Sequence, residues 1–250
     1  MARLANQIVL VTGGGSGAGA ATSKALFQEG AKVAIAGRNA KKLELVGKEI
    51  QSLAPTDFAD RFMTIPGDIT KPQEVDHIIN VVKQKFGDIT ILVNNAGTNI
   101  KERRMREISI ESWHQLIDTN LNGAFYCMRA VLPAMIAKKE GLIININSVS
   151  GKRAYPLAGA AYAASKFGMS ALASCLAGEE LENNIRVSSI YPGEIDTPIL
   201  DARPNPVTEE HRSKILKPED IAQAVLYIAC LPARVSIPEL IIKPTFQSYF

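Results

Sequence analysis

Seven short apolar runs, separated by longer stretches with helical spacing, constrain this chain more than any other feature of its 250 residues. The runs are Ile8 to Val11, Lys32 to Gly37, Arg61 to Gly67, Ile89 to Gly97, Gly141 to Ser148, Ile185 to Gly193 and Pro238 to Pro244. Their apolar character is nearly continuous rather than alternating, the pattern of strands buried on both faces. Gly17 to Glu29, Ala40 to Leu53, Pro72 to Phe86, Ser112 to Lys138, Ala161 to Glu182 and Pro218 to Cys230 read as helices. In the second of these, Leu43, Val46, Ile50 and Leu53 recur on one helical face. The alternation predicts an α/β fold, a doubly wound parallel sheet of about seven strands with helices on both faces. Right-handed crossovers then place ligands at the carboxyl ends of the strands. No linker divides the chain, so residues 1–250 are expected to form one domain. Its least regular stretch, 196–213, holds Pro198, Pro204 and Pro206 and reads as a lid or an insertion.

Composition removes several classes of function. With 46% hydrophobic residues the chain can bury one sizeable core. A formal net charge of only +3 gives no basic stripe for nucleic acid. No run approaches the roughly 18 apolar residues of a membrane span, and the apolar start is too short for a signal peptide. The three cysteines, Cys127, Cys175 and Cys230, have no metal-ligand spacing and are odd in number, so we expect no metal and a reducing, cytoplasmic setting. All three lie in apolar helical stretches and are expected in the core.

The first run leads into "VTGGGSGAGAATSKAL", Val11 to Leu26, with five glycines between Gly13 and Gly19. Glycines are costly to order, and here they sit between a strand and a helix. That is where backbone N–H groups and the helix dipole favour an anion. Gly13, Gly17 and Gly19, with Gly15 and Ser16 between them, therefore suggest a nucleotide turn, although turns and caps also use glycine. A P-loop is excluded, because Lys24 follows Ser23 instead of preceding a Ser or Thr. The end of the second strand reads "AIAGRNAKK". It offers no carboxylate for a ribose 2′-OH, whereas Arg38 could pair with a 2′-phosphate. This favours NADP over NAD and leaves NAD possible. Lys41 and Lys42 are expected to be solvated.

"YAASK" puts Tyr162 and Lys166 four residues apart on one helical face. A nearby ammonium stabilises a phenolate, which makes the pair a plausible general acid–base device. Many such pairs are only surface residues. Ser148, in "INSVSG", lies at a strand's carboxyl end, where its hydroxyl could hold a carbonyl or alkoxide oxygen. Ser150 is a local competitor for that place.

These stretches, together with "GDIT" (Gly67 to Thr70), "NNAG" (Asn94 to Gly97), "DTNLNG" with Asn120, and "YPGEIDTP" (Tyr191 to Pro198), occur in the order and at the separations found in the short-chain dehydrogenase/reductase family. The chain resembles that family over essentially its whole length. The resemblance implies a Rossmann fold and hydride transfer between a nicotinamide cofactor and a carbonyl or secondary alcohol. It implies Tyr162 as proton donor or acceptor and Ser148 as holder of the substrate oxygen. Lys166 would bind the nicotinamide ribose and lower the pKa of Tyr162, and Asn120 would anchor a relay water. Asp68 and Ile69 would flank the adenine. Asn94, Ala96 and Gly97 would line the cofactor cleft, and Pro192, Gly193, Ile195 and Thr197 its nicotinamide end. A homo-oligomer, tetramer or dimer, is also implied.

Departures from the family pattern narrow the picture. The Ser148–Tyr162 separation is one residue longer than in many relatives, so the 152–159 loop should bulge over the substrate. Many NADP-preferring relatives have a basic residue where this chain has Ser16, so the preference rests on Arg38. The tail, 244–250, brings Phe246, Tyr249 and Phe250 and could pack on another subunit or stay disordered. Lys101, Arg103, Arg104 and Arg106 border the substrate mouth in relatives; they could attract an anion, though a charge run is usually a solvated loop. The expected activity is an NADP(H)-dependent oxidoreductase acting on a small-molecule carbonyl or alcohol. The alternatives are the same chemistry with NAD(H), or a cofactor-binding sensor without catalysis.

Overall fold

The computed structural model describes residues 2–54 and 56–248. Tyr249 and Phe250 of the expected tail contact lie outside the described residues. The strands are β1 (Ile8–Thr12), β2 (Lys32–Gly37), β3 (Phe62–Pro66), β4 (Ile91–Asn94), β5 (Gly141–Ile146), β6 (Ile185–Pro192) and β7 (Glu239–Ile242). They form one parallel sheet in the order β3-β2-β1-β4-β5-β6-β7. The helices are α1 (Gly17–Gln28), α2 (Ala40–Leu53), the single turn α3 (Phe58–Arg61), α4 (Pro72–Phe86), α5 (Ile110–Ile117), α6 (Gly123–Lys138), α7 (Ala160–Glu179), α8 (Glu209–Lys214) and α9 (Pro218–Ala229).

Both sheet faces are covered, which is why the strand sequences do not alternate. On one face Val9, Val11, Ile35, Ile144 and Ile190 pack with Leu26 of α1, Leu43 of α2 and Val225 of α9. On the other, Leu10, Leu92 and Ile143 pack with Val82 of α4, Met128 of α6 and Met169 of α7. The strand order reverses between β1 and β4. At that point their carboxyl-end loops part and leave a crevice.

Three expectations need correction. β7 is not buried on both faces: it is an edge strand with Ile241 41% exposed, because among the described residues it pairs with β6 alone. Of the cysteines only Cys127 is in the core; Cys175 points outward from α7 and Cys230 is half-buried. Ser112 to Lys138 is not one regular helix, for a π turn at Asp118–Asn122 separates α5 from α6. The irregular 196–213 stretch has structure of its own, a 3₁₀ segment at Pro198–Ala202 and then α8.

Candidate active site

Pairing of the β1 and β4 loops builds the floor of the crevice. The Thr12 hydroxyl accepts from the backbone N–H groups of Asn95 and Ala96 at 3.1 and 3.2 Å. Asn95 Nδ2 donates to the carbonyls of Thr12 and Gly13, each at 3.1 Å. Gly13 has φ +65°, and a Cβ there would stand 2.8 Å from Ala96 Cα, so no other residue fits this turn without moving the opposite loop. Gly19 packs behind it, where a Cβ would lie 2.4 Å from the Gly13 carbonyl oxygen.

The turn then presents the start of α1 to a cleft of about 510 Å³ lined by Gly15, Ser16, Gly17 and Ala18. Ser16 is the N-cap, yet its side chain makes no capping hydrogen bond, and the first turn carries no acid. The helix-end N–H groups therefore face the cleft without an internal anion, a fit to a pyrophosphate. Further along, Arg38 and Lys42 are exposed at the cleft edge, while Lys41 is exposed but away from it. Arg38 has no hydrogen-bond or ion-pair partner among the described residues, which leaves its guanidinium free for a phosphate. Asp68 and Ile69 line the wall beside it. One Asp68 oxygen accepts from the Thr70 N–H and hydroxyl at 3.0 and 2.9 Å, so this residue also caps its own turn.

At the opposite end β5 delivers Ser148, and α7 delivers Tyr162 and Lys166. Ser148 Oγ accepts from the Ser150 N–H at 3.1 Å and pairs with the Tyr162 hydroxyl; Ser150 lines the cleft too, with its own hydroxyl buried. Tyr162 is only half-buried, yet its hydroxyl is enclosed, and burial pushes its pKa up to about 12. The hydrogen bond with Ser148 and the charge of Arg103 pull it the other way. Lys166 donates to the Ile146 carbonyl at 3.0 Å and stands 5.8 Å from the Tyr162 ring centre. Burial alone pushes its pKa down to about 8. In this arrangement Ser148 and Arg103 favour the phenolate, while the Lys166 ammonium lies over the Tyr162 ring and gives its hydrogen bond to a backbone carbonyl.

Ala96, Gly97, Pro192, Gly193, Ile195 and Thr197 also line the cleft. Asn94, Asn120 and Gly19 do not. Asn94 points into the sheet and donates to Asn145 Oδ1 at 3.0 Å, so the cleft-lining expectation for it is corrected in favour of Asn95. Neighbouring residues leave a strand on opposite sides, and nothing in the doublet marks which of the two faces inward. Asn120 is fully buried in the π turn. Its Oδ1 accepts from the Thr98 N–H at 2.8 Å, and its Nδ2 donates to Thr98 O and Ser165 Oγ at 3.0 and 3.2 Å. It braces the wall behind Gly97 and Lys166. The basic run divides: Lys101, Arg104 and Arg106 are solvated, whereas Arg103 turns inward. Arg203 and Tyr155, not singled out from the sequence, line the cleft as well; the separation of 103 from 203 along the chain hides their meeting.

Comparison with known proteins gives this fold and site a class. The family model described as short chain dehydrogenase matches residues 7–207. An uncharacterized oxidoreductase of Staphylococcus aureus (strain MRSA252) is 36% identical over 244 residues, 98% of this chain and 100% of the relative. A metagenomic short-chain oxidoreductase solved with NADP is 31% identical with TM-score 0.83, covering 98% of this chain and 100% of that one. The closed form of a serine dehydrogenase with NADP+ is 30% identical with TM-score 0.86, covering 97% of each chain. The chain belongs to the short-chain dehydrogenase/reductase family and is an oxidoreductase acting on CH–OH groups. No helix among the described residues is long and apolar enough to cross a membrane.

Proposed function

We propose that this protein is an NADP(H)-dependent oxidoreductase that interconverts a carbonyl and a secondary alcohol, with Tyr162 as general acid and base. The observation that carries the reading is the meeting of Ser148, Tyr162 and Lys166 in the same cleft as the open start of α1. Residues 1–250 act in it as one dinucleotide-binding and catalytic domain. The nicotinamide dinucleotide, when bound, supplies or accepts the hydride. Gly13, Gly15, Ser16 and Gly17 hold its pyrophosphate, with Gly19 behind them, and Arg38 holds the 2′-phosphate. Asp68 and Ile69 flank the adenine. Ala96, Gly97, Pro192, Gly193, Ile195 and Thr197 shape the rest of the cradle, and Asn94 stiffens the sheet beneath it.

In the reducing direction the Tyr162 hydroxyl gives its proton to the carbonyl oxygen while Ser148 Oγ donates a hydrogen bond to that oxygen. A pKa of about 12 suits Tyr162 to holding this proton at neutral pH. In the oxidising direction the phenolate must form, and a neighbouring positive charge favours it. Lys166, with a pKa of about 8, is poised to return the proton. Asn120 supports Lys166 from behind and anchors the relay to solvent.

The solved relatives that carry NADP or NADP+ support the cofactor reading, as does the absence of a carboxylate at the end of β2. We also infer a cytoplasmic homo-oligomer, tetramer or dimer. Free cysteines and the exposed Phe125, Phe167, Tyr227 and Phe246 are in keeping with it. The test is a panel of carbonyls and alcohols followed by nicotinamide absorbance with both cofactors, repeated with Tyr162→Phe. Turnover should fall by ~10²–10⁴ in the variant with cofactor affinity retained. Undiminished turnover would remove Tyr162 from the mechanism.

A further inference from the structure

The substrate end of the cleft carries a charge imbalance that hydride transfer does not require. Arg103 is only 6% exposed. Its Nε donates to the Ile100 carbonyl at 2.7 Å, its Nη1 to that of Leu157 at 2.9 Å, and its Nη2 to that of Ala202. All three acceptors are neutral, and no carboxylate pairs with it among the described residues. A guanidinium withdrawn this far from water ordinarily has an acid beside it. The backbone makes room for it: Gly159 has φ +86°, and a Cβ there would stand 2.7 Å from Arg103 Cβ.

Arg203 lines the same cleft with its side chain 18% exposed and meets Glu194 at 3.2 Å. The two guanidiniums feel each other's charge, and that of Arg103 also reaches Tyr162. Glu194 is the one acid lining this end among the described residues, and His211 from α8 shares it. The two guanidiniums, with the Lys166 ammonium nearby, thus face one carboxylate, and the positive surplus favours an anionic group on the substrate. Leu157, Ile199 and Leu200 complete the wall with apolar surface suited to a short carbon chain.

We propose that the substrate is a carboxylate-bearing alcohol or ketone, a hydroxy acid or its oxo acid, whose carboxylate is held by Arg203 in the field of the buried Arg103. The proposal rests on the redox reading above. Arg203 is the residue that touches the carboxylate. Arg103 is a positioning residue, tying the loop after β4, the loop before α7 and the 3₁₀ segment into one wall.

The test is a set of 2- and 3-hydroxy acids of graded length, each with its methyl ester and primary amide, assayed with NADP+ and NAD+. The acids should exceed their esters at least tenfold in kcat/KM. Arg203→Leu should cut the acid-to-ester ratio at least tenfold through KM, and Arg203→Lys should restore part of it. Glu194→Gln, which frees Arg203, should lower KM for the acids and serves if Arg203→Leu does not fold. The solvated Arg104→Ala should leave the ratio alone. Esters or amides used as well as the acids, or a ratio indifferent to Arg203, would overturn the proposal. Calorimetric titration of the same acids into Tyr162→Phe with NADP+ present separates the two readings. Acid binding that weakens tenfold on adding Arg203→Leu, with neither the acids nor their esters turned over by the parent protein, would sink the redox reading and keep this one. No binding and no turnover of the acids would sink this one.

Discussion

Arg38→Ala tests the proposed 2′-phosphate contact separately from the rest of the cleft. Arg38 is exposed and makes no hydrogen bond or ion pair among the described residues, so its removal orphans no buried group and the fold should keep its melting temperature. What is lost is a charge-assisted contact in nearly aqueous surroundings. One charge pair at ~4 Å in water is worth ~1 kcal/mol, and a phosphate presents between one and two charges. A bidentate guanidinium contact falls at the lower end of the ~1.5–3 kcal/mol typical of hydrogen bonds to charged groups. We therefore expect a loss of ~2 kcal/mol, a rise in the NADPH dissociation constant of ~30-fold. NADH has no phosphate at that position and should change less than threefold. Lys42, also at the cleft edge, will retain part of the attraction, so the residual preference should shrink further as salt is raised. Fluorescence titrations of both dinucleotides at two ionic strengths measure all of this. Equal weakening of NADPH and NADH, or no weakening of either, would refute the assignment of Arg38.

Further outcomes follow from the same geometry. Lys166 has its folded pKa lowered to about 8 from an ordinary 10.5, so between those values the unfolded chain binds more protons and stability rises with pH. Lys166→Met removes this buried charge. The variant should be more stable than the parent by ~2 kcal/mol at pH 7, after allowing for the lost bond to Ile146, and the gap should close by pH 10. A melting-temperature difference that does not change with pH would contradict the shift. Tyr162, raised to about 12, has the opposite sign: its contribution is present below pH 10 and fades as the pH climbs toward 12, which alkaline unfolding of Tyr162→Phe against the parent would reveal. Gly13→Ala meets both a positive φ and the Ala96 backbone and should cost ~1–3 kcal/mol, read by denaturant unfolding. A thiol reagent should label the exposed Cys175 in the native protein, while Cys127, buried and pushed up to about 12, reacts only on unfolding.

The fold was readable from hydrophobic pattern because a sheet covered on both faces needs nearly unbroken apolar strands, and β1, β2, β4, β5 and β6 have them. β7 shows where that reasoning stops: "PELIIKP" has the same pattern, but an edge position left Ile241 half in solvent. At the site, residues tied to local chemistry were readable. The glycines before α1, Arg38 with no acid beside it, and Tyr162 with Lys166 one turn apart all follow from neighbours in the chain.

Sequence alone thus determined the doubly wound sheet, the glycine turn before α1 and the placing of Tyr162 and Lys166 one helical turn apart, because each depends on residues within a few positions of one another. Tertiary structure decided what depends on distant partners. It turned Asn94 into the sheet and Asn95 to the cleft, and it gave the Lys166 hydrogen bond to the Ile146 carbonyl. It also drew Arg103 out of a solvated run to meet the carbonyls of residues 157 and 202. Burial and charge pairing are properties of the assembled neighbourhood, and a side chain's charge has no environment until the segments around it have packed.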